Sequence, residues 1–498
     1  MTLRIYNSLS RTKETFVPVK KGNVKMYVCG MTVYSDAHIG HARTYLAFDL
    51  IRRYFEYKKY EVTYVQNITD VDDKIIIAAN KENIDALEYS RRFADRCLSD
   101  LDDLGIKRAS LYPKASETIA DMITMIEQII DKGYGYVADG DVYFSVEKFK
   151  DYGKLSGQKL DEMKTSSCAL TGEKKHNKFD FALWKAAKPN EPSWDSPWGK
   201  GRPGWHIECS AMSGKYLGLP FDIHGGGMDL RFPHHENEIA QAEAATGKQF
   251  AKYWMHIGLL TVDSEKMSKS IGNIINIQDL LKRWDAEVIR MFFAQAHYRS
   301  PPDFSEKALR DVKKGLDRIY RFKERLEKLA ENSNDVKIEE NKLTAEEKKY
   351  LIVLEDFKAE FESAMDDDFN TPKAFAAFFD FVNASNRFLE TNNSIDPILC
   401  HHALDMFVKL GNILTLFQPK KDQVDDDSIL KELQMLLSKY SPSTDINDCD
   451  EVVKTLLNIR EKARIKKDWK TADEIRKKLE EIGYEIQDAE TGAVWRRK

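Results

Sequence analysis

Cysteine is scarce in this sequence, and no long apolar run occurs. Six cysteines are scattered over 498 residues, at positions 29, 97, 168, 209, 400 and 449. So few and so dispersed a set excludes a disulfide-stapled secreted protein and makes a reducing cytoplasm the expected location. No apolar stretch approaches the length of a transmembrane helix, and the N-terminus lacks the apolar core of a signal peptide. We therefore expect no membrane partner.

A large net charge is also lacking. The chain carries a net charge of −5, so no global basic field marks it as a nucleic-acid binder. The most basic sizeable region is 451–498, which contains 13 Lys and Arg and 10 Asp and Glu. Its net charge of +3 leaves a net charge of −8 on the rest of the chain. Two interpretations of this tail stay open, a phosphate-binding surface or an ordinary charged helical face. The length suits about two to four domains.

The most informative stretch is Lys25–His41, KMYVCGMTVYSDAHIGH. Its apolar first part predicts a buried strand, and a helical pattern follows over Ala42–Tyr57. A strand that enters a helix through a polar, Gly-containing turn is typical of nucleotide sites, because the helix N-terminus offers N–H groups to phosphates. His38 and His41 in this turn add further donors. Taken alone, the stretch fits an ordinary strand–turn–helix equally well.

A second short motif, much later in the chain, favours the nucleotide interpretation. Lys266-Met267-Ser268-Lys269-Ser270 lies in a polar loop after the apolar run Tyr253–Val262. Two lysines in such a loop suit a clamp on a triphosphate, and they offset charge as pyrophosphate leaves. His-Ile-Gly-His followed by Lys-Met-Ser-Lys-Ser, each after a strand-like run, resembles the class I aminoacyl-tRNA synthetases.

This resemblance implies catalytic and ATP-binding roles for both motifs. His38, His41, Lys266 and Lys269 would stabilise charge in the transition state. The implied ATP-binding set is His38, Gly40, His41, Lys266, Met267, Ser268, Lys269 and Ser270.

The resemblance and the order of elements predict an α/β fold. We expect a Rossmann-like class I catalytic domain with a connective insertion, an α-helical bundle and a small C-terminal α+β module. Glu61–Asn67 is the predicted second strand, and Thr69 or Asp70 is expected to cap the helix after it. The predicted segments are a first catalytic half at 1–112, the insertion at 113–198, a second half with the lysine loop at 199–300, a helical bundle for the anticodon stem or anticodon at 301–420, and an anticodon-recognition module at 421–498.

Beyond residue 285 the pattern is overwhelmingly helical. Apolar residues recur at three- and four-residue steps from Val312 to Leu329, which predicts one buried helix face. The acids 366–368 are expected to serve capping and solvation, with Thr371 as the N-cap of the next helix. Residues 419–428 are a predicted linker. One basic helix is predicted over 454–482, before a strand-like tail.

A candidate metal site draws on distant positions. His234 and Glu238 lie four residues apart on a predicted helix, so they project from one face. Cys29 ends the first strand, and Cys209 lies on another helix that the fold can bring beside them. Two thiols, an imidazole and a carboxylate suit zinc. Because the spacing is not that of a compact finger, these residues alone favour a metal-free core.

The resemblance becomes narrower at these positions. Cys29, Trp205, Cys209, the run Phe232–Gln241 (FPHHENEIAQ) and the two nucleotide motifs together resemble the cysteinyl-tRNA synthetase family, from the N-terminus to the terminal WRRK. The departures from the family pattern lie in connecting loops such as 165–178. The resemblance implies one Zn²⁺, bound to the thiolate of the substrate and held by Cys29, Cys209, His234 and Glu238. It implies substrate contacts at Trp205, which would form an aromatic wall, and at Thr69, His224 and Asp229.

The implied reaction is ATP-dependent ligation of L-cysteine to tRNA(Cys) through a cysteinyl-adenylate. Mg²⁺ would accompany ATP, and the enzyme is expected to be a monomer. The insertion would carry the acceptor end of the tRNA. Trp495, Arg496 and Arg497 are the expected tRNA contacts in the tail. Trp495 either stacks on an exposed base or packs in a small terminal core.

Direct coordination would explain how so small a substrate is selected. Cysteine and serine differ by one atom, and shape separates such isosteres poorly. Zinc binds thiolate well and lowers the pKa of a thiol, whereas a hydroxyl ionises far less readily. We therefore expect no editing domain.

Three other functions stay open at this point. A related ligase could join cysteine to an amino-sugar, although a small acceptor does not require the helical and basic regions beyond residue 300. A non-catalytic relative would bind RNA without forming an adenylate. In the third, the metal is only a structural staple, whose removal would unfold the protein with no specific effect on cysteine affinity.

Overall fold

The computed structural model describes residues 2–159, 174–267, 271–331, 338, 341, 343–392, 395–418, 421–441, 446, 449–466, 468–482, 484–489 and 492–497, the last stretch as backbone. These residues form two compact units, Met1–Phe417 and Gln418–Lys498. No helix in the described ranges is long and apolar enough to cross a membrane.

The first unit alternates strands and helices up to residue 304 and is helical beyond it. Its strands are β1 (Arg4–Asn7), β2 (Thr12–Thr15), β3 (Asn23–Thr32), β4 (Glu61–Thr69), β5 (Gly135–Ala138), β6 (Asp141–Phe144), β7 (Phe181–Ala186), β8 (Gly201–Pro203), β9 (Phe221–Gly227), β10 (Ala251–Ile257), β11 (Thr261–Val262), β12 (Glu265–Lys266) and β13 (Asp303–Phe304). Its helices are α1 (Ile39–Tyr57), α2 (Asp73–Glu82), α3 (Ala86–Asp103), α4 (Ile119–Asp131), α5 (Trp205–Leu217), α6 (His234–Thr246), α7 (Ile277–Leu281), α8 (Ala286–Ala294), α9 (Glu306–Ala330), α10 (Ala345–Asp366), α11 (Thr371–Thr391) and α12 (Pro397–Ile413).

A four-stranded parallel sheet in the order β10-β9-β3-β4 forms the centre of this unit. In β3, Val28 joins the apolar cluster on the α1 side, and Tyr27 joins the cluster on the α5 side. Burial on both faces explains why the strand reads as a continuous apolar run. The predicted α/β fold is confirmed, and the strand predicted over Glu61–Asn67 extends as β4 to Thr69.

Helix α1 begins one turn earlier than Ala42, the predicted start. His38 is its N-cap residue, and the helix ends at Tyr57 as predicted. The His38 backbone N–H donates to His41 Nδ1 (3.3 Å), and the two rings stack with their centroids 3.8 Å apart. Because this interaction closes the first turn, Gly40 and His41 lie within the helix and not before it.

Strands β5 to β8, which follow β4 and precede β9 in the sequence, form a separate antiparallel sheet in the order β5-β6-β7-β8. Because β8 pairs with β7, this sheet extends slightly beyond residue 198, the predicted end of the insertion. Residues 160–173, which include most of the loop predicted at 165–178, lie outside the described residues.

Helices α9 to α12 form the predicted bundle. On α9, Val312, Leu316, Ile319, Phe322 and Leu326 are buried, as the periodicity predicts. Leu329 is 38% exposed, so its assignment to this face was wrong; Ala330, the last residue of the helix, takes the inward position.

The turn after α10 departs from two predictions. Asn370 and not Thr371 caps α11, because the Asn370 side chain accepts a hydrogen bond from the Lys373 N–H (3.2 Å). Asp366 and Asp368 are 2% and 0% exposed, so these two acids are not solvated.

The second unit contains helices and a hairpin: α13 (Lys421–Tyr440), α14 (Cys449–Ile465), α15 (Trp469–Ile482), β14 (Tyr484–Ala489) and β15 (Gly492–Arg497). Leu433, Val452, Leu456 and Ile475 lie in its core. The linker predicted over 419–428 was wrong, since α13 begins at residue 421. The single helix predicted over 454–482 is two helices, and Asp468 caps the second by accepting from the Thr471 N–H (3.2 Å).

Candidate active site and metal centre

The site lies at the carboxyl ends of β3, β4 and β9, where parallel strands of α/β folds bind their ligands. Strands β3 and β4 approach so closely that a Cβ on Gly30 would overlap the backbone carbonyl of Asn67. The Gly30 N–H donates to the Asn67 side-chain oxygen (2.7 Å). This close approach fixes the position of Cys29, the residue before Gly30, and both residues line the cleft described below.

The loops that carry the two nucleotide motifs are paired through their backbones. The Ile39 N–H donates to the Ile275 carbonyl (2.9 Å), and the Ile277 N–H donates to the Ala37 carbonyl (3.0 Å). The start of α1 is therefore held against the segment that follows the lysine motif.

The motifs also touch through side chains. A Cβ on Gly40 would stand 2.9 Å from the terminal methyl carbon of Met267. Lys266 lies beside Met267, on β12. Ser268, Lys269 and Ser270, which were predicted to bind ATP, lie outside the described residues.

One open cleft of about 490 Å³ joins the nucleotide motifs to the predicted amino-acid site. The first turn of α1 contacts it, and the N–H groups and dipole of that turn favour a phosphate there. Its lining includes the predicted residues His38, Gly40, His41, Thr69, Trp205, Cys209, Asp229, His234, Lys266 and Met267.

Four predicted metal ligands converge in a buried cluster at one side of this cleft: the ligand atoms of Cys29, Cys209, His234 and Glu238 all lie within 4.8 Å of one another. The two sulfurs are 3.9 Å apart, and the Cys29 sulfur lies 3.5 Å from Glu238 Oε1. His234 Nε2 lies 2.8 Å from the same oxygen, because residues four apart share a face of α6. Two sulfur donors, a nitrogen and an oxygen at this range suit Zn²⁺, so the donor set fits the implied metal.

Neighbouring charges shift the pKa values of the cluster. Burial acts to raise the pKa of the Cys209 thiol, but the hydrogen bond from Cys29 and the nearby His234 lower it to about 6. Burial likewise opposes ionisation of Glu238, yet His224 and His234 hold its pKa well below the ordinary value. Burial also acts against the charge on His234, but Glu238 raises its pKa to about 10. A thiolate at Cys209 and a carboxylate at Glu238, the forms that bind a cation, are therefore favoured. Burial, followed by Cys209, raises the pKa of Cys29 well above its ordinary value, so Cys29 and His234 would each release a proton when a metal binds.

His224 lies behind the cluster. It is fully buried, and its Nε2 is 3.0 Å from Glu238 Oε2 and 3.5 Å from the Cys29 sulfur. With Cys29, His235 and Glu238 it forms a second group of ligand atoms within 4.8 Å of one another. His224 does not line the described part of the cleft, so the structure does not bring it to the position predicted for a substrate contact.

The other predicted substrate residues lie on the cleft wall. The Trp205 ring is 40% exposed and stacks on His234, with centroids 4.3 Å apart. The Thr69 hydroxyl donates to the Glu208 carboxyl (2.9 Å). It does not cap the next helix, whose N-cap is Asp72. Asp229 lies exposed on the short 3-10 turn at 228–231.

Among the polar residues around the metal cluster that were not predicted are Asn67, His206 and Glu208. His206 Nδ1 lies 2.9 Å from His234 Nδ1, and the Asn67 side-chain oxygen lies 3.7 Å from the Cys209 sulfur. Burial, followed by the nearby Cys209, raises the pKa of Glu208 well above its ordinary value. One signal in the sequence could have identified them: each is a polar residue within a strand or helix whose apolar pattern predicts burial.

Known proteins are similar to this chain in sequence and in fold. Residues 15–314 match the family described as tRNA synthetases class I (C) catalytic domain. A cysteine–tRNA ligase of Clostridioides difficile is 48% identical over 432 residues, which cover 87% of this chain and 91% of the relative. One from Geobacter sulfurreducens is 52% identical over 419 residues, 84% of this chain and 85% of the relative. The chain belongs to the cysteinyl-tRNA synthetase family. The family resemblance seen in the sequence is confirmed, and the chain is a class I aminoacyl-tRNA synthetase.

Two further family matches lie beyond the catalytic domain. Residues 360–418 match a DALR domain, and residues 447–496 match the cysteinyl-tRNA ligase anticodon binding domain. Among solved structures, a Mycobacterium tuberculosis methionyl-tRNA synthetase with methionyl-adenylate has a TM-score of 0.61 at 15% identity, over 82% of this chain and 94% of that chain. An Agrobacterium radiobacter LeuRS in a ternary complex with tRNA and LeuAMS has a TM-score of 0.61 at 11% identity, over 80% of this chain and 84% of that chain. At these identities the likeness shows the fold alone.

The predicted tRNA contacts of the tail lie on β15. In the hairpin, Trp495 is opposite Ile486, and Arg496 and Arg497 follow it. Their side chains lie outside what the structure describes. Trp469, which was not predicted as a contact, is 57% exposed at the first position of α15.

Proposed function

We propose that this enzyme uses ATP to ligate L-cysteine to tRNA(Cys) through a cysteinyl-adenylate. The observation that supports this function best is the shared cleft, which has the thiol–imidazole–carboxylate cluster beside the nucleotide motifs. Amino acid and ATP would meet between the two. The relatives, which are cysteine–tRNA ligases, support the same amino acid and acceptor.

In the first step, a carboxylate oxygen of cysteine attacks the α-phosphorus of ATP. A new P–O bond forms, and the bond to the bridging oxygen breaks as pyrophosphate leaves. The first turn of α1, with His38 and His41, would donate hydrogen bonds to the phosphates. Lys266 and Lys269 would balance the charge that develops on the leaving group. Mg²⁺ would enter with ATP as part of the substrate.

We assign the cysteine side chain to the cluster of Cys29, Cys209, His234 and Glu238, which would hold one Zn²⁺. When bound, this ion supplies a Lewis acid that favours the thiolate form of a ligand sulfur. His224 would hold Glu238 in place without touching the substrate.

Residues around the cluster would orient the rest of the substrate. Trp205 and Thr69 form walls of the pocket, and the exposed carboxylate of Asp229 would attract the ammonium group of cysteine. Serine has the same shape but a hydroxyl that ionises poorly, so we attribute selection to the bond with the metal and not to the fit of the pocket.

In the second step, a ribose hydroxyl of the 3′-terminal adenosine of the tRNA attacks the activated carbonyl. An ester forms and AMP leaves. We propose that the insertion at 113–198 carries the acceptor end and that 301–420 and 421–498 contact the anticodon stem and anticodon. The anticodon-binding match at 447–496 supports the last assignment. Trp495, Arg496 and Arg497 are proposed contacts, and the exposed Trp469 is a further surface on which a base could stack.

Exchange of pyrophosphate into ATP tests the proposal. We would measure exchange with cysteine and, separately, with serine, on the zinc-loaded protein and its Cys209→Ser variant. We expect exchange with cysteine only, and its loss or marked weakening in the variant. Cys400→Ser, the same change at a buried cysteine of α12, is the matched control and should behave as wild type.

The other outcomes separate the two parts of the proposal. Equal exchange with both amino acids would contradict metal-based selection but keep the ATP chemistry. No exchange with either would contradict adenylation and favour a non-catalytic RNA-binding function.

A further inference from the structure

The turn between α10 and α11 carries an acid whose partners belong to the catalytic part. Asp368 is fully buried. Its Oδ1 accepts hydrogen bonds from the Tyr298 hydroxyl (2.7 Å) and the Tyr6 N–H (2.8 Å). Its Oδ2 accepts from Arg299 Nε (2.9 Å) and lies 2.7 Å from Arg299 Nη2. Each carboxylate oxygen therefore has a partner at 298–299, near the end of the catalytic fold, and Oδ1 also binds β1 through Tyr6.

The two acids before it have other partners. Asp366 accepts from the Tyr54 hydroxyl (2.7 Å) on α1. Asp367 is 42% exposed at its side chain and pairs with Lys13 (2.7 Å). Tyr54 and Lys13 are thus partners of the first two acids, and Tyr298 and Arg299 are partners of Asp368.

The backbone at this turn is held in an uncommon conformation. Asp368 and Phe369 have positive φ angles of 65° and 52°. Residues other than glycine rarely adopt such angles unless surrounding contacts fix them. Phe369 packs against Phe55 of α1, with ring centroids 5.6 Å apart. The carboxylate of Asp368 is therefore presented from a fixed turn.

The partners of Asp368 begin the segment that supports the lysine motif. The Gly258 N–H donates to the Tyr298 carbonyl (2.8 Å), and a Cβ on Gly258 would stand 2.5 Å from the Arg299 carbonyl oxygen. Gly258 itself lines the nucleotide cleft. A shift of residues 298–299 would therefore shift the cleft wall.

The same segment continues into the sheet that carries the motif. Strand β13 pairs with β11, and β11 pairs with β12, which holds Lys266. The Asp303 carboxylate accepts from the Thr261 hydroxyl (2.7 Å) and the Ser264 N–H (2.8 Å). The position of Lys266 therefore depends on where residues 298–304 lie.

We infer that Asp368 is a positioning residue for the lysine motif. By fixing Tyr298 and Arg299, it sets the place of the small sheet that brings Lys266 to the phosphates of ATP. The inference rests on the adenylation step of the proposed function. Because Lys266 would act on charge that develops as pyrophosphate leaves, removal of the Asp368 charge should lower kcat more than it raises any KM.

The test is pyrophosphate exchange with cysteine by wild type, Asp368→Asn and Asp367→Asn. We expect Asp368→Asn to lower kcat roughly tenfold or more, since a misplaced group of this kind loses much of its transition-state stabilisation. The KM for cysteine and the zinc content of the protein should stay at wild-type values, because the ligand atoms of the metal cluster come from Cys29, Cys209, His234 and Glu238 and not from this segment. Asp367→Asn, the same change one residue away in an exposed pair, should stay within about twofold of wild type.

A second variant keeps the test decisive if Asp368→Asn does not fold. Tyr298→Phe deletes one hydroxyl that donates to Asp368 and keeps the carbonyl that accepts from Gly258. It should lower kcat in the same direction, and added to Asp368→Asn it should cause little further loss, because both changes break one connection.

Several results would contradict the role inferred for Asp368. Wild-type kcat in Asp368→Asn or in Tyr298→Phe would overturn the inference. So would a fall in kcat accompanied by an equal rise in the KM for cysteine and loss of zinc, since that pattern marks general destabilisation. Absence of exchange in the wild type would overturn the proposed function and this inference with it, whereas wild-type exchange with unaltered variants overturns the inference alone.

Discussion

Replacing Thr69 by valine removes one hydroxyl and keeps the shape of the side chain. That hydroxyl donates to the Glu208 carboxyl (2.9 Å) and accepts from the Asn67 amide (3.2 Å). None of the three residues is more than 3% exposed, so water reaches their polar atoms poorly even though Asn67 and Thr69 line the cleft. The second carboxyl oxygen of Glu208 already has no hydrogen-bond partner among the described residues. Thr69→Val therefore leaves a buried acid and a buried amide each short of a partner.

The loss of stability caused by Thr69→Val can be estimated from these contacts. A buried polar group that loses its partner costs about 1–3 kcal/mol, and a charged group costs more. Burial, with the nearby Cys209, raises the pKa of Glu208 well above its ordinary value, which favours the neutral acid. We therefore expect the free energy of unfolding to fall by about 1–3 kcal/mol, within the range for neutral groups.

The assay combines urea unfolding with pyrophosphate exchange. Asn67 also binds the Gly30 N–H and faces the Cys209 sulfur, so its displacement should raise the KM for cysteine several-fold and leave the KM for ATP unchanged. Thr63→Val makes the same change on the same strand, β4, and is the control. Equal unfolding curves for the two variants, or equal rises in both KM values for Thr69→Val, would refute the reasoning.

Two further predictions follow from the site and the tail. In metal-free protein at pH 7, iodoacetamide should label Cys209 before Cys97 or Cys400. Cys209 lines the cleft, and its pKa is lowered to about 6. Burial raises the pKa of Cys97 to about 12 and that of Cys400 to about 11. Labelling should slow as the pH falls below about 6, where the thiolate is protonated, and peptide mass spectrometry that finds Cys97 labelled first would contradict this order. Trp469→Ala should raise the Kd for tRNA(Cys), since loss of stacking on one base costs about 1–3 kcal/mol, and Trp469→Phe should retain most of the affinity. Equal filter-binding curves for wild type and both variants would exclude stacking at this residue.

Features that depend on nearby residues were predictable from the sequence. The continuous apolar run of β3 and the three- and four-residue steps on α9 follow from burial on two faces and on one face. The four-residue spacing of His234 and Glu238 places both on one side of α6 in any helix that contains them. The ordered pair of nucleotide motifs sufficed to predict a class I aminoacyl-tRNA synthetase. Cys29, Trp205, Cys209 and the run Phe232–Gln241 were needed to narrow this prediction to the cysteinyl family.

Features that depend on contacts between distant residues were not predictable. The run of acids at 366–368 reads as solvated, and nothing in it marks Asp368 as buried. Its partners Tyr298 and Arg299 lie about seventy residues earlier, and only the fold brings them to it.

The break between α14 and α15 is a different case, because the contacts that define it are local. The Asp468 N–H donates to the Ala463 carbonyl (2.9 Å), and the Asp468 side chain accepts from the Thr471 N–H (3.2 Å). Aspartate is a preferred N-cap residue, so this signal was present in the sequence and was missed.

The proposed zinc ligands come from both halves of the catalytic fold. Cys29 lies within β3, which runs on to Thr32, and not at its end as predicted, and Cys209 lies on α5. The two are 180 positions apart in the chain, yet their sulfurs are 3.9 Å apart. A metal that joins them closes a long loop, so its binding adds to folding free energy as well as to substrate binding. Chelation would therefore lower stability and activity together, whether the metal is a staple or a substrate ligand. The comparison of cysteine with serine separates these two roles, because a metal that served only as a staple would not distinguish a thiol from a hydroxyl.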